Sequence, residues 1–301
     1  MPGKVHRNQW VQNLRIIVLL TGLMMLSIMP CIQDPAIADN SKVYFESLQE
    51  RLIKEGFDKD MIKDLYKRPE VYFDFKGVSG YFVHREAKLN YDQFTSKSSI
   101  KKAKKYMRKY NTELSRAERI YGVDKKIITA IILVETRLGK VVGNRSILST
   151  LSTLSSLSDL NIRDIVWDKN SSSCSLTREE FNNWSKRKSK WAYSELKAFI
   201  IYVNREGIDP AGINGSFAGA LGIAQFMPSS ILAFAKDGDG DGRVDLFNHA
   251  DAIISIATYL GHYGWHPGID RKGAYKVIHH YNNSNYYVDT ILKISELLTA
   301  S

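Results

Sequence analysis

The sequence contains few of the residues that build disulfide-stabilised or zinc-stabilised folds. Only two of its 301 residues are cysteines, Cys31 and Cys174, and the first lies in an N-terminal segment that we expect to be removed. The remaining cysteine then has no partner for an intramolecular disulfide. The histidines between residues 262 and 280 stand at spacings that match no common zinc pattern. The fold must therefore rely on a hydrophobic core, with or without a different metal.

Long hydrophobic runs are also scarce. The apolar run from Ile16 to Met29 is about 14 residues long, which is short for a membrane span. Basic residues precede this run and small residues follow it, so the pattern predicts a secretory signal peptide over residues 1–38, cleaved after Ala38. An uncleaved membrane anchor is the alternative. Lipidation of Cys31 is disfavoured because Pro30, rather than a small residue, precedes it.

Acidic residues are outnumbered by basic ones. The formal net charge is +10, while an apolar content of 44% is ordinary for a folded protein. No nucleic-acid-binding motif accompanies the basic charge. Because the chain is predicted to be exported, the cell wall or a membrane surface is the expected polyanionic neighbour. A basic helix predicted over Ile100–Leu114 is either a solvated face or a patch that meets an anionic glycan strand.

The stretch Val123–Gly143 predicts a helix that carries an unusual acid. Asp124 is a plausible N-cap, and apolar residues then recur at helical spacing. Glu135 lies in the same stripe as Ile128 and Ile131. Loss of hydration there raises the pKa of a carboxyl toward the range of a proton donor at neutral pH. The alternative is a buried glutamate held by a basic partner or a backbone amide.

Two later stretches offer groups for a ligand. Small residues dominate Gly212–Ser230, where Ser216 and Gln225 are available for hydrogen bonds. The same pattern is also typical of tight helix packing. Tyr281, Asn282 and Tyr287 cluster near the end of the chain, and such aromatic faces and amides either bind sugar rings or cap a terminal helix.

An aspartate-rich segment, DGDGDGRVDLFNHAD at 237–251, resembles an EF-hand loop. Its acids and glycine follow the spacing of such a loop, although Asn248 stands where a glutamate is usual. An acidic residue one turn into the next helix is then the expected bidentate ligand. We predict a structural calcium ion here, against the alternative of an acidic glycine-rich turn. The predicted ligands are Asp237, Asp239, Asp241, the carbonyl of Arg243, and Asp251.

Taken in order, the motifs resemble one family. VETRLG around Glu135, GSFAGALGIAQFMPSS at 215–230, the aspartate loop followed by DAIISIATYLGHYGW, and YNNSNYY near the end are similar to the lytic murein transglycosylase B family, whose core resembles goose-type lysozyme. The resemblance implies a mainly α, lysozyme-like (α+β) fold. It comprises a smaller N-terminal helical domain at 39–110 and a transglycosylase domain at 111–301, with an insertion at about 155–190.

The resemblance also implies roles for individual residues. Glu135 corresponds to the single catalytic acid of the family, and the aspartate loop to its calcium site. A short basic Pro-Arg-Arg segment usual in the family is missing here, so the contacts to distant sugars or to the peptide stem are expected to differ. The residues that match substrate-contacting positions or cluster with them are Ser216, Gln225, Tyr281, Asn282, Tyr287, Tyr91 and Phe94.

The implied activity is cleavage of the bond between N-acetylmuramic acid and N-acetylglucosamine in peptidoglycan, with formation of a 1,6-anhydro end. A muramidase that hydrolyses the same bond would need a second acid, such as Asp159, Asp164 or Asp168. A calcium-stabilised glycan-binding module without turnover is the third reading. The resemblance implies a periplasmic location, whether soluble or held by an uncleaved N-terminal segment, and we expect a monomer that binds glycan strands and no nucleic acid.

Overall fold

The structure is a computed structural model that describes residues 43–78, 90–170 and 176–299. The predicted signal peptide and both cysteines lie outside the described residues. None of the helices within the described ranges is both long enough and apolar enough to cross a membrane.

The described chain is mainly helical, as the sequence predicts. Two short strands, β1 (Arg145–Ser146) and β2 (Asn214–Gly215), pair antiparallel, and one 3-10 turn covers Pro210–Gly212. The α-helices are α1 (Glu46–Lys54), α2 (Lys59–Lys67), α3 (Asp92–Thr95), α4 (Lys97–Lys109), α5 (Asn111–Tyr121), α6 (Lys125–Thr136), α7 (Ile147–Ser156), α8 (Leu160–Asn170), α9 (Arg178–Glu206), α10 (Pro228–Phe234), α11 (His249–His262), α12 (Arg271–Tyr281) and α13 (Asn285–Thr299).

Helix α6 lies at the centre of the core. The side chain of Asp124 caps it by accepting a hydrogen bond from the amide of Lys126 at 2.8 Å, as predicted. Every residue from Ile127 to Thr136 is buried, which is typical of a helix surrounded by protein on all sides. Helices α4, α5 and α13 pack against it. The acid at its C-terminal end is thus held by several elements.

Leucines recur at every third position from Leu148 to Leu160, and the first three of them lie in helix α7. The sequence suggests a bent helix there, because steps of three do not follow one helical face. The helix is instead buried on all sides, so no single face is needed. Two of its serines bond within the helix: Ser155 donates to the carbonyl of Leu151 at 2.6 Å, and Ser156 to that of Ser152 at 3.0 Å. The chain turns after Leu157 and resumes as α8.

The segment predicted as a polar insertion at about 155–190 is largely helical. It comprises α8 and the first part of α9, which begins with a capping box between Thr177 and Glu180. The ring of Phe181 packs against Trp167 at 5.2 Å and against Trp184 at 6.1 Å between centroids. The contact of Trp167 with Phe181 joins the two helices, whereas Trp184 packs on Phe181 within α9.

Residues before 110 contribute to the same continuous hydrophobic core as the later helices. The hydroxyl of Tyr66 on α2 lies 2.6 Å from that of Ser152 on α7. The predicted basic helix differs in its bounds, because the backbone of Tyr110 leaves the helical region at φ −108°. Leu114, the last residue of the predicted helix, therefore belongs to α5, where its side chain is buried.

Candidate active site

Glu135 lies one residue before the C-terminal end of α6. The next three residues, Arg137, Leu138 and Gly139, all have positive φ angles of 50°, 65° and 80°. The amide of Arg137 donates to the carbonyl of Leu133 at 3.0 Å, the 5→1 bond of a left-handed helix ending, and the amide of Leu138 reaches further back, to the carbonyl of Ile132 at 3.1 Å. Left-handed conformations at two non-glycine residues are costly and tend to persist where function requires them. The chain therefore turns sharply just after the acid.

The carboxyl of Glu135 is buried and accepts one strong hydrogen bond. Its residue is only 6% exposed, and the hydroxyl of Tyr287 donates to Oε1 at 2.7 Å. Burial raises the pKa of Glu135 to about 8, while the hydrogen bond from Tyr287 acts in the opposite direction. A pKa near 8 leaves the carboxyl protonated at neutral pH. Its partner is a tyrosine hydroxyl, not the basic group or backbone amide of the alternative reading.

Tyr287 and Tyr281 form a parallel aromatic pair beside the acid. Their ring centroids are 6.4 Å apart and their planes differ by 5°. Burial and the charge of Glu135 raise the pKa of both hydroxyls well above the ordinary value for tyrosine. The hydroxyl of Tyr281 donates to the carbonyl of Ala224 at 2.6 Å. One tyrosine thus orients the acid, and the other ties α12 to the segment around Gln225.

Asn282 contributes an unpaired buried oxygen. The residue is 4% exposed, and its side-chain Oδ1 has no hydrogen-bond partner. Its backbone caps α12 through a bond to Ile278. A buried acceptor without a partner is costly in a folded protein and is expected where a ligand supplies the missing donor.

The small-residue segment packs directly against the end of α6. The hydroxyl of Thr136, next to Glu135, donates to the carbonyl of Ile223 at 3.1 Å. Gln225 adopts a left-handed backbone (φ 48°), and its Nε2 donates to the carbonyls of Gly222 at 2.8 Å and Val142 at 3.2 Å. The amide nitrogen of Gln225 is therefore engaged within the protein. Its carbonyl oxygen remains as the group that would accept from a substrate.

Ser216 stabilises the turn that follows β2. Its Oγ accepts from the amide of Ala220 at 3.0 Å, and its own amide donates to the carbonyl of Ala220 at 2.8 Å. Close backbone contact explains a nearby glycine, since a Cβ on Gly143 would lie 2.0 Å from the carbonyl oxygen of Gly215. Ser216 is only half-buried, so its hydroxyl hydrogen stays available to a ligand.

The aromatic pair Tyr91 and Phe94 lies at one edge of α3, with ring centroids 6.4 Å apart. Between them in sequence, Gln93 accepts a hydrogen bond from Nη2 of Arg137 at 2.6 Å. Arg137 also has a buried Nε without a partner. The sequence reasoning missed Arg137 and Gln93, although Arg137 lies in the motif that contains Glu135. This contact fixes the aromatic edge to the end of the acid's helix.

The aspartate loop brings three of its predicted ligands together. Carboxylate oxygens of Asp237, Asp239 and Asp251 all lie within 4.8 Å of one another. Asp251 is 1% exposed and accepts from the amides of Gly238 and Asp245, each at 2.7 Å. Three carboxylates this close repel one another unless a cation lies between them. Hard oxygen donors of this kind fit calcium.

The fourth predicted carboxylate ligand, Asp241, bonds within the loop itself. The carboxylate of Asp241 accepts from the amide of Arg243 at 2.8 Å and is not part of the cluster of three. Further along the same loop, the carbonyl of Leu246 accepts from the amide of Ile223 at 2.8 Å. This hydrogen bond therefore connects the loop to Ile223, whose carbonyl accepts from Thr136.

Two of the three acids considered as a second catalytic carboxylate are occupied elsewhere. Asp159 caps the start of α8 by accepting from the amide of Asn161 at 2.8 Å. Asp164 forms a salt bridge with Arg178 across α8 and α9. Neither engages Glu135, and no carboxylate contributes to the pKa of Glu135 among the described residues.

Comparison with known sequences gives two findings. Residues 40–273 match the protein family described as transglycosylase SLT domain. The chain is also 35% identical over 176 residues to membrane-bound lytic murein transglycosylase B of Escherichia coli strain K12, which covers 58% of this chain and 41% of the relative. The chain thus matches less than half the length of that curated relative.

Solved structures share the fold. The Escherichia coli lytic transglycosylase SLT35 in complex with calcium superposes with a TM-score of 0.65 and 23% identity, over 86% of this chain and 93% of that one. SltB3 from Pseudomonas aeruginosa in complex with NAG-anhNAM-pentapeptide gives a TM-score of 0.68 and 17% identity, over 86% and 80% of the two chains. These matches confirm the predicted lysozyme-like, mainly helical fold.

Proposed function

The chain belongs to the transglycosylase SLT domain family, and from this premise we propose that it is a lytic transglycosylase of peptidoglycan. It cleaves the β-1,4 bond between N-acetylmuramic acid and N-acetylglucosamine and leaves a 1,6-anhydro end. The observation that carries the proposal is the buried carboxyl of Glu135, whose pKa is raised to about 8, with a tyrosine hydroxyl in contact with it and no contribution from a second carboxylate among the described residues.

Glu135 acts first as the general acid. Because its carboxyl is protonated at neutral pH, it donates its proton to the glycosidic oxygen as the bond to C1 of the muramoyl residue breaks. The negative charge that then remains on Glu135 is stabilised by the hydrogen bond from Tyr287. A charge-assisted hydrogen bond strengthens as the acceptor becomes ionised, so Tyr287 favours the proton transfer without taking part in bond breaking.

Glu135 acts next as the general base. Its carboxylate accepts the proton of the muramoyl C6 hydroxyl, whose oxygen attacks C1 of the same sugar and closes the anhydro ring. The proton given up in the first step is thereby recovered, and no water is consumed. An attached nucleophile has a high effective concentration, so neither an activated water nor a second carboxylate is required.

The neighbouring polar groups are assigned to the substrate. Asn282 offers its unpaired Oδ1 and Gln225 its carbonyl oxygen, both suited to accept from sugar hydroxyls or acetamido N–H groups. Ser216 offers a hydroxyl hydrogen. Tyr91 and Phe94 form an aromatic edge against which a sugar ring can pack. Tyr281 and Tyr287 are assigned to positioning, because their hydroxyls are engaged with Ala224 and Glu135.

Calcium is assigned to the aspartate loop. Asp237, Asp239 and Asp251 form the nucleus of the site, and Asp241 and the carbonyl of Arg243 complete the ligands by resemblance to EF-hand loops. When bound, the ion would neutralise the charges of Asp237, Asp239 and Asp251 and so hold the loop against the start of α11, which carries Asp251. It takes no part in the proton transfers. The proposed location is the periplasm, in keeping with the predicted signal peptide.

A muramidase remains the second candidate, since it would cleave the same bond with water. The engagement of Asp159 with the start of α8 and of Asp164 with Arg178 argues against it. The test is mass spectrometry of muropeptides released from purified sacculi by the protein from residue 39 onward, with calcium present. Products one water lighter than hydrolysed ends are expected. Free reducing ends would establish hydrolysis, and binding without any product would establish a glycan-binding module.

A further inference from the structure

A groove edged by basic side chains runs along α4, where the C-terminal end of α13 lies beside it. It consists of two neighbouring cavities of about 470 and 500 Å³, which share Lys104 and Arg108 as lining residues. Lys97 and Lys101 line the second cavity as well. These cations recur every three or four residues and therefore follow one face of α4. A row of positive charges thus borders the whole groove.

Apolar side chains lie between these cations. Met107 and Leu298 line one cavity, and Ile100 and Leu297 line the other. Among the described residues, none of those lining either cavity is acidic. A ligand that matches this surface must carry negative groups and small apolar groups close together along an extended chain.

The concave surface is confined to one part of a helix whose exposed side chains are mostly basic. Helix α4 has Lys or Arg at seven of its 13 positions. Lys102 and Lys105 are exposed on the same helix but line neither cavity. A flat bilayer surface would attract every exposed cation of α4. An extended chain that lies in the groove would contact only the cations that line the groove.

The groove leads away from the candidate catalytic acid. At one end, Thr95 lines it at the last residue of α3, the short helix that carries Phe94. At the other end is Leu298, which lies on α13 about 16 Å along the helix axis from Tyr287, at 1.5 Å per residue. A ligand in the groove therefore lies beside the aromatic edge of the site without occupying it.

We propose that this groove binds an acidic peptide, namely the carboxylate-bearing peptide stems of the peptidoglycan on which the enzyme acts. The proposal rests on the proposed function for the identity of the polymer. Free carboxylates of a stem pair with Lys101 and Arg108, and its alanyl methyl groups pack on the apolar lining. Binding stems outside the cleft holds the protein on intact wall while the glycan strand is cleaved.

The test compares glycan oligomers of equal length with and without their peptide stems. Binding is measured by titration calorimetry with the Glu135→Gln protein, which is expected not to cleave them. Stem-bearing oligomers should bind about five to ten times more tightly, since each exposed ion pair contributes modestly. In the same background, Lys101→Gln with Arg108→Gln should remove this preference. The matched control, Lys102→Gln with Lys105→Gln, lowers the charge of α4 equally and should retain it.

Several results would overturn the groove as a stem site. The first is that the two oligomers bind equally tightly. The second is that the preference for stems persists when Lys101 and Arg108 are replaced, and the third is that both double variants lose the preference to the same extent. Binding to phosphatidylglycerol vesicles that depends on Lys101 and Arg108, with no stem preference, would assign the groove to a membrane surface instead. These experiments measure binding and therefore test the groove independently of the enzyme activity. The proposed function is tested separately, and it fails if the unsubstituted protein yields no anhydro ends from stem-free glycan.

Discussion

The hydroxyl of Tyr287 donates a hydrogen bond to Oε1 of Glu135 across 2.7 Å, although 152 positions separate the two residues in sequence. The contact joins α13 to the end of α6 in the interior of the protein. It opposes the effect of burial on the carboxyl, which otherwise raises the pKa of Glu135. Tyr287 thereby influences both the orientation of the acid and the pH range in which it stays protonated.

Tyr287→Phe should therefore change the pH profile as well as the rate. Loss of the hydrogen bond removes the contribution that lowers the pKa of Glu135, so the alkaline limb of kcat/KM should move above about pH 8. The rate at neutral pH should fall about ten- to a hundredfold, because the carboxylate formed during the reaction loses a charge-assisted donor. Initial rates on glycan oligomers between pH 5 and 10 measure both effects.

Tyr281→Phe is the matched control for that experiment. It removes a hydroxyl that is equally buried but donates to the carbonyl of Ala224 and not to Glu135. Its alkaline limb should stay where the unsubstituted protein has it. If both variants shift the limb alike, the hydrogen bond from Tyr287 does not control the ionisation of the acid.

Glu135→Gln should abolish turnover and alter how stability depends on pH. A carboxyl whose pKa rises from 4.5 to about 8 on folding stabilises the folded state fully below pH 4.5, and this contribution is lost as pH rises through 8. Relative to the variant, the unsubstituted protein should lose roughly 3 to 5 kcal/mol of unfolding free energy between pH 5 and 9. Urea unfolding at several pH values gives this difference.

An exposed glutamate provides the control for the stability measurement. Glu50→Gln on α1 makes the same chemical change at a solvent-exposed position. The difference between this variant and the unsubstituted protein should hardly vary with pH. Parallel stability curves for Glu135→Gln and the unsubstituted protein would mean that the acid titrates normally, and the acid role assigned to Glu135 would lose its physical basis.

Local patterns in the sequence predict the helix that carries Glu135, but they do not predict that Tyr287 is its hydrogen-bond partner. Asp124, the buried stripe and the turn after Glu135 are encoded within about 20 residues, so spacing and capping chemistry suffice. The bond from Tyr287 depends on how α13 packs on α6, which no local pattern specifies. The resemblance assigns Tyr287 to the glycan, and the contact of its hydroxyl with the acid was not predicted.

The amide of Gln225 and the tryptophan-containing segment illustrate the same limit. The sequence indicates that Gln225 is a polar group in a tight segment, but its left-handed backbone turns Nε2 toward two carbonyls of the protein. The serine- and lysine-rich segment at 155–190 has the composition of a loop. Its two helices are held together by the contact of Trp167 on α8 with Phe181 on α9, which forms only once the two helices are packed.

Gln93→Ala should weaken substrate binding more than catalysis. The change frees the guanidinium of Arg137, which donates to Gln93 Oε1 at 2.6 Å, and so loosens the aromatic edge formed by Tyr91 and Phe94. We expect KM to rise about three- to tenfold with kcat nearly unchanged, as for loss of uniform binding. Gln93→Glu keeps an acceptor for Arg137 and should restore KM. A fall in kcat with unchanged KM would instead place this contact in the chemical step.

Calcium should stabilise the protein through Asp251 and protect the segment next to the acid. At one hundred times its dissociation constant, the ion should add about 2.7 kcal/mol to the unfolding free energy. Asp251→Asn removes a charge from the cluster of three carboxylates and should lose most of this gain. Asp289→Asn, an exposed acid on α13, makes the same charge change outside the loop and should keep it.

The effect of calcium should also reach Ile223, whose amide donates to the carbonyl of Leu246 at the end of the loop, and whose own carbonyl accepts from Thr136 beside Glu135. Because a loosened loop exposes that amide to solvent, its hydrogen exchange should accelerate when calcium is chelated. Amides in the middle of α9, far from the loop in sequence, report any general loosening. Acceleration at Ile223 without change in α9 would establish the connection, whereas equal acceleration at both would reduce the role of calcium to overall stability.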